Sequence, residues 1–146
     1  PFHKYSYIKR RSQEREFGHL LSKIIDEFKP DVIISSNTPI DAQSVISRAS
    51  QSQKIKFIFW VQDIYSIAMG KILTQKYSVV GSMISRYYKL LERKLLQNSD
   101  AVVLITKDFI PLMKSWGVAD SKCWVIPNWA PINELPIFPK VNDWSI

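Results

Sequence analysis

Asp63 is the residue whose surroundings most suggest chemistry. It closes Phe57-Ile58-Phe59-Trp60-Val61-Gln62-Asp63, an apolar run that stops abruptly at two polar side chains. A carboxylate so placed can take a proton from a hydroxyl or hold that hydroxyl in position. It can equally cap the turn or helix that follows. Three other apolar runs end in the same way. Asp31-Val32-Ile33-Ile34-Ser35-Ser36 gives way to Asn37-Thr38-Pro39, Ala101-Val102-Val103-Leu104-Ile105 stops at Thr106-Lys107, and Val125-Ile126 leads into Pro127-Asn128-Trp129. Asn37 and Thr38 stand where a helix should begin, and free N–H groups there favour anions, although capping alone also explains Thr38. Lys107 can meet a phosphate or only water. Trp129 can stack on a ligand ring or pack a hinge, packing being the commoner use. His3, His19 and the single Cys123 show no ligand spacing, so neither a metal nor a cofactor is expected.

These positions need a scaffold, and the periodicity supplies one. A helix is expected over residues 12–28, capped by Ser12 and burying Phe17, Leu20, Leu21, Ile24, Ile25 and Phe28 at i, i+3, i+4, i+7 spacing. Residues 1–11, rich in Lys and Arg, read as irregular. A strand at 31–36 precedes a helix at 39–50, with Thr38 as its cap and Pro39 in its first position. A strand at 55–61 precedes a mixed segment ending near Gly81. A helix at 82–97 follows, with Ile84, Tyr87, Tyr88, Leu91 and Leu95 on its inner face. The third strand is 101–105. The next helix needs Asp108 as its cap to accommodate Pro111, and Gly117 ends it in a left-handed conformation. A fourth strand covers 122–126 and makes Cys123 a small buried apolar residue. Strict alternation with β-rich, non-alternating strands argues for an α/β fold: a three-layer, Rossmann-like parallel sheet with helices on both faces. In such sheets ligands bind at the carboxyl ends of the strands, which is where the polar stops fall.

The bulk properties narrow the partners. The chain has 146 residues, 46% of them hydrophobic, and a formal net charge of +7. It is long enough for one domain with a real core, and its charge favours an anionic partner. No apolar run approaches the ~18 residues that a membrane span requires. Prolines at 127, 131, 136 and 139 suggest that 131–146 is a linker leaving a domain at 1–130.

Four segments together resemble the family 4 glycosyltransferases, which have the GT-B fold of two Rossmann-like domains around a cleft. They are Phe28-Lys29-Pro30-Asp31-Val32-Ile33-Ile34-Ser35-Ser36, Trp60-Val61-Gln62-Asp63, Asn98-Ser99-Asp100-Ala101-Val102-Val103-Leu104-Ile105-Thr106, and Val125-Ile126-Pro127-Asn128-Trp129. The likeness is greatest to bacterial enzymes of the polysaccharide or colanic-acid type. It implies that residues 1–130 form most of an acceptor-side domain, lacking its first strands. The nucleotide-sugar would be held by a C-terminal domain beyond residue 146. The fragment alone would be inactive, and the whole would be a retaining hexosyltransferase acting on a glycan or a lipid-linked acceptor. The resemblance makes Asp63 the catalytic candidate and Gln62, Asn37, Thr38, Thr106, Lys107, Asn128 and Trp129 the substrate-binding ones. A His commonly stands where this chain has Gln62. Gln62 cannot act as a base, so acid–base work falls to Asp63 or to the substrates, and a two-carboxylate glycosidase scheme does not carry over. A cytoplasmic location follows, at most peripheral to the inner face of the membrane.

Other readings compete. The helix at 82–97 is basic and amphipathic, so it can touch an anionic membrane or be a core helix with a solvated charged face, the commoner case. A sheet lacking its first strands would expose an edge and could pair with a second copy as a homodimer or a non-catalytic assembly domain. A basic α/β module could also bind nucleic acid, but no nucleic-acid fingerprint is present and the aromatics are not interleaved with lysines.

Overall fold

The computed structural model describes residues 6–76 and 78–130. The elements run α1 (Tyr7–Phe28), β1 (Val32–Ser36), α2 (Ile40–Ser52), β2 (Lys56–Val61), α3 (Tyr65–Lys76), α4 (Ser78–Asn98), β3 (Ala101–Leu104), α5 (Ile110–Ser115) and β4 (Cys123–Val125), with 3-10 turns at Lys107–Phe109 and Asp120–Lys122. The four strands form one parallel sheet in the order β1-β2-β3-β4. This is the Rossmann-like α/β architecture that the alternation implied, with α2, α4 and α5 packed on one face of the described sheet. The linker expected at 131–146 lies outside the described residues.

The core lies on one face of the sheet. Phe57, Phe59 and Val61 alternate along β2 and are buried, as are Val102 and Leu104 of β3. Ile40 and Ile46 of α2, Tyr88, Leu95 and Leu96 of α4, Met113 of α5 and Trp116 just after it pack with them. The opposite face is more open. In register along it lie Ser36, Trp60, Val103 and Trp124, and Trp124 is 61% exposed.

Several boundaries differ from expectation, each for a physical reason. α1 begins at Tyr7, so Ser12 is an interior residue and not the cap, and most of the stretch 1–11 that read as irregular and is described is helical. Two of its cations find acids that hold this first part of the helix: Arg10 pairs with Glu14 one turn on (2.7 Å), and Arg11 with Asp41 of α2 (3.2 Å). The helix ends at Lys29, in a left-handed conformation (φ 49°), ahead of Pro30. Its expected inner face is only partly covered. Leu21 and Ile25 pack against the core, whereas Phe17, Leu20, Ile24 and Phe28 are exposed. α1 leans on α2 so closely that a Cβ at Gly18 would meet Val45 and Ala42, and β1, beside it, is the edge of the sheet.

Helix α2 begins one residue late: Pro39 is its cap, and Thr38 is not. The mixed segment before Gly81 is helical from Tyr65 on in its described part. Gly81 is not a break, because it lies inside α4 where a Cβ would collide with the main chain at Leu73. The glycine lets α3 and α4 approach as a hairpin. On α4, Tyr87 is exposed instead of facing inward, and Glu92 and Leu96 are buried. Asp108 does not cap α5. Thr106 accepts from the Asp108 N–H (3.3 Å) and caps the short turn, which puts Pro111 in the first turn of α5. Gly117 does take the left-handed conformation, at φ 72°. Cys123 is half-buried, since β4 is the sheet's other edge, and burial raises its thiol pKa above the usual value.

Candidate functional site

The carboxyl ends of β1 and β2 are adjacent, with Ser36 beside Trp60 in register. A cleft of about 360 Å³ opens above them, lined by the turn after β1, the start of α2, the turn after β2 and one residue each from α1, α3 and α4. That volume is at the lower end of the ~300–1,000 Å³ usual for ligand pockets.

Asn37 takes a left-handed conformation (φ 51°) as the chain leaves β1. It and Thr38 line the cleft beside the N-terminus of α2. Thr38 is held by neighbours: it accepts from Ser35 Oγ (3.2 Å) and donates to the Ser36 carbonyl (3.3 Å), while Gln43 Nε2 donates to Ser35 Oγ (3.2 Å). The first backbone N–H groups of α2 have no intrahelical acceptor. This side of the cleft is therefore rich in donors.

Asp63 and Gln62 line the opposite side. Asp63 is exposed and makes no hydrogen bond or ion pair with any described residue. The capping alternative is already taken by another residue. Glu92, reaching from α4, accepts the backbone N–H of Tyr65 (2.9 Å) and of Ser66 (3.0 Å), and so caps α3. Glu92 is 1% exposed, and burial pushes its pKa above the usual glutamate value against the pull of those hydrogen bonds. Gln62 Oε1 accepts from Asn128 Nδ2 (3.0 Å). The chain after β4 thus turns back toward the end of β2 and joins two candidates far apart in sequence.

The other candidates lie elsewhere. Thr106 is occupied in its capping turn, Lys107 is exposed beside it, and neither lines the cleft. Trp129 is exposed and also lies off the lining. Residues not anticipated from the sequence do line it. Arg10 approaches from α1 with its guanidinium against Glu14, Tyr65 and Glu92 contribute from α3 and α4, and Trp60 presents an indole whose buried N–H meets no acceptor among the described residues. Among the described residues no cluster of three or more His, Cys, Asp or Glu could hold a metal ion.

The family model for Glycosyltransferase Family 4 matches residues 1–134. The chain belongs to that family. Four parallel strands with helices are consistent with an N-terminal GT-B domain of the family. No curated protein and no solved structure matches the chain. That membership supports glycosyl transfer as the activity.

Proposed function

We propose that this family 4 domain is the acceptor-side half of a retaining glycosyltransferase. In this reading the whole protein moves a hexose from a nucleotide-sugar to a glycan or lipid-linked acceptor during cell-surface polysaccharide synthesis, in the cytoplasm. The observation that carries the reading is Asp63, a carboxylate at a strand end, in a cleft, and relieved of capping by Glu92. A free carboxylate can accept the hydrogen bond of an acceptor hydroxyl and draw off its proton as the new bond forms. Gln62, whose Oε1 accepts from Asn128, offers its amide hydrogens to a sugar oxygen. The donor-rich start of α2 and Arg10 suit hydroxyl or phosphate oxygens on the opposite wall. The nucleotide-sugar is assigned to a second domain, and the exposed stripe on α1 beside the open edge of β1 supports further strands in the complete domain.

The test is Asp63→Asn in the full-length enzyme, followed by transfer of labelled sugar from the nucleotide-sugar. A kcat lower by roughly 100- to 10,000-fold with KM little changed is expected for loss of a group acting on the transferred proton. An unchanged kcat would remove Asp63 from the chemistry.

A further inference from the structure

The turn that carries Asp63 is short: only residues 62–64 separate the end of β2 at Val61 from the start of α3 at Tyr65. Asp63 is exposed in the middle of it and makes no bond with any described residue, so its place depends on what holds the residues around it. The near end is set by the sheet. Val61 is buried and in register with Leu104 of β3, and Gln62 accepts from Asn128 (3.0 Å). The far end has no polar tie of its own. The Ile64 carbonyl is the first to accept in α3, from the N–H groups of Ile67 and Ala68 (3.2 Å each). Ile64 therefore stands where a capping residue should. Its aliphatic side chain packs partly on the core and has no acceptor to offer. The first N–H groups of the helix must find one elsewhere.

Glu92 of α4 supplies it. Each of its oxygens takes one donor, Oε1 the N–H of Tyr65 (2.9 Å) and Oε2 that of Ser66 (3.0 Å). These are the residues two and three places after Asp63. Glu92 is itself held in place. Tyr88, one turn before it, and Leu95 and Leu96, one turn after it, are buried in the core. Farther along the hairpin, a Cβ at Gly81 of α4 would strike the main chain at buried Leu73 of α3. α3 is thus fixed to α4 at two places, by close backbone approach at Gly81 and by the carboxylate at its start. A serine or aspartate at position 64 would satisfy the same N–H groups from within the turn. It would leave the turn free to move with α3. Glu92 joins the turn to the core instead, although burying a carboxylate is costly and burial raises its pKa against the pull of the two bonds.

We propose that Glu92 is a positioning residue of the transfer site: by holding the start of α3 against α4, it fixes where the Asp63 carboxylate stands in the cleft. This role rests on Asp63 being the group that acts on the acceptor hydroxyl, as proposed above. Both oxygens of Glu92 are engaged by backbone N–H groups, so it acts through Asp63 and not on the substrate. A misplacement of about 1 Å in a reacting group can cost about 100-fold in rate. The loss falls on kcat, because the opposite wall, at Asn37, Thr38 and the start of α2, is held by Ser35 and Gln43 without help from α3.

The experiment is a double-mutant cycle in the full-length enzyme, with Asp63→Asn, Glu92→Gln and the two together, assayed by sugar transfer from the nucleotide-sugar. Glu92→Gln keeps the side chain's shape but leaves one oxygen for two N–H groups and turns a donor on the other. Its kcat should fall roughly 10- to 100-fold with KM within about twofold. In the Asp63→Asn background the same substitution should change kcat by less than about twofold, because the carboxylate it positions is already gone. Amide hydrogen exchange gives a readout apart from activity. In Glu92→Gln it should quicken about tenfold or more at Tyr65 and Ser66 and stay unchanged in β2 and β3. Glu92→Asp, which keeps the charge one methylene short, replaces Glu92→Gln if that variant does not fold, and the same pattern is expected. Equal fractional losses of kcat in the two backgrounds, a loss confined to KM, or unaltered exchange at Tyr65 and Ser66 would overturn the proposal. A crippled Asp63→Asn beside a fully active Glu92→Gln removes Glu92 alone. An Asp63→Asn enzyme with full kcat removes Asp63 from the chemistry and, with it, the role given to Glu92.

Discussion

The carboxylate of Asp41 joins three helices, and its removal should be felt through Tyr88. Asp41, in the first turn of α2, is 3% exposed. It accepts from Tyr88 Oη of α4 at 2.9 Å and from Arg11 Nε of α1 at 3.2 Å. The two partners are not alike. The Arg11 side chain is 40% exposed and can return to water, with its guanidinium already 4.6 Å above the Tyr87 ring. The Tyr88 hydroxyl is buried, and burial together with Asp41 raises its pKa far above the usual phenol range, so it is always a donor. In Asp41→Ala that donor is orphaned. A hydrogen bond to a charged group contributes about 1.5–3 kcal/mol, and an unsatisfied buried partner costs about 1–3 kcal/mol. Asp41→Ala should therefore destabilise by about 3 kcal/mol and Tyr88→Phe by about 2 kcal/mol. In the double variant no orphan remains, and its cost should match that of Asp41→Ala alone, a coupling of about 2 kcal/mol. Urea unfolding of the full chain reads this out. At an m-value of about 2 kcal/mol/M, Asp41→Ala moves the midpoint down by about 1.5 M. If the double variant equals the two single losses added together, to within about 0.5 kcal/mol, the hydroxyl does not depend on Asp41 and the reasoning fails.

Two glycines of the hairpin should respond in opposite ways to alanine. At Gly81 the new Cβ strikes the backbone at Leu73, which cannot give way, so Gly81→Ala should cost about 2 kcal/mol or more despite its better helix propensity. At Gly70 it meets only Ser85 Oγ, a hydroxyl that can rotate, so Gly70→Ala should be neutral or stabilising by up to about 1 kcal/mol. Thermal unfolding of the two variants distinguishes these cases, and equal effects would place the helices farther apart than described. Asp100 ties β2 to β3 through Lys56 Nζ (2.8 Å) and the Phe57 N–H (3.0 Å), which hold its pKa below the ordinary 3.8. A depressed carboxylate adds stability that is complete above its unfolded pKa and disappears as pH falls through the folded one. The stability gap between the chain and Asp100→Asn should thus be constant above about pH 5 and narrow below about pH 4. A gap that widens on acidification would contradict the tie.

The strands were legible because apolar runs that stop at polar residues are what a parallel sheet imposes on its carboxyl edge. The same pattern placed Asp63, Gln62, Asn37 and Thr38 at the rim of one cleft. It could not distinguish the ends of β1 and β2, which face that cleft, from the end of β3, whose Thr106 is used up in capping. Glu92 carries a signal of its own: it lies between Tyr88 and Leu95 on the inner face of its helix, where an acid needs a buried partner. Its partners, the N–H groups of Tyr65 and Ser66, are 27 and 26 residues away and nothing local announces them. The early start of α1 rested likewise on Asp41, a distant residue. The Asn128–Gln62 bond spans 66 residues and follows from the turn back of the chain after β4, which no spacing encodes.

The spatial order β1-β2-β3-β4 is also the order of synthesis. Among the described strands, β2, β3 and β4 each add to a neighbour that left the ribosome before it. At roughly 5–20 residues per second, β2 follows β1 by only a few seconds, and helix and hairpin closure take microseconds. This part of the sheet can therefore grow from β1 toward β4, each crossover helix closing over the strand just added. The slow, long-range pairing that exposes many parallel sheets to aggregation is replaced here by stepwise extension.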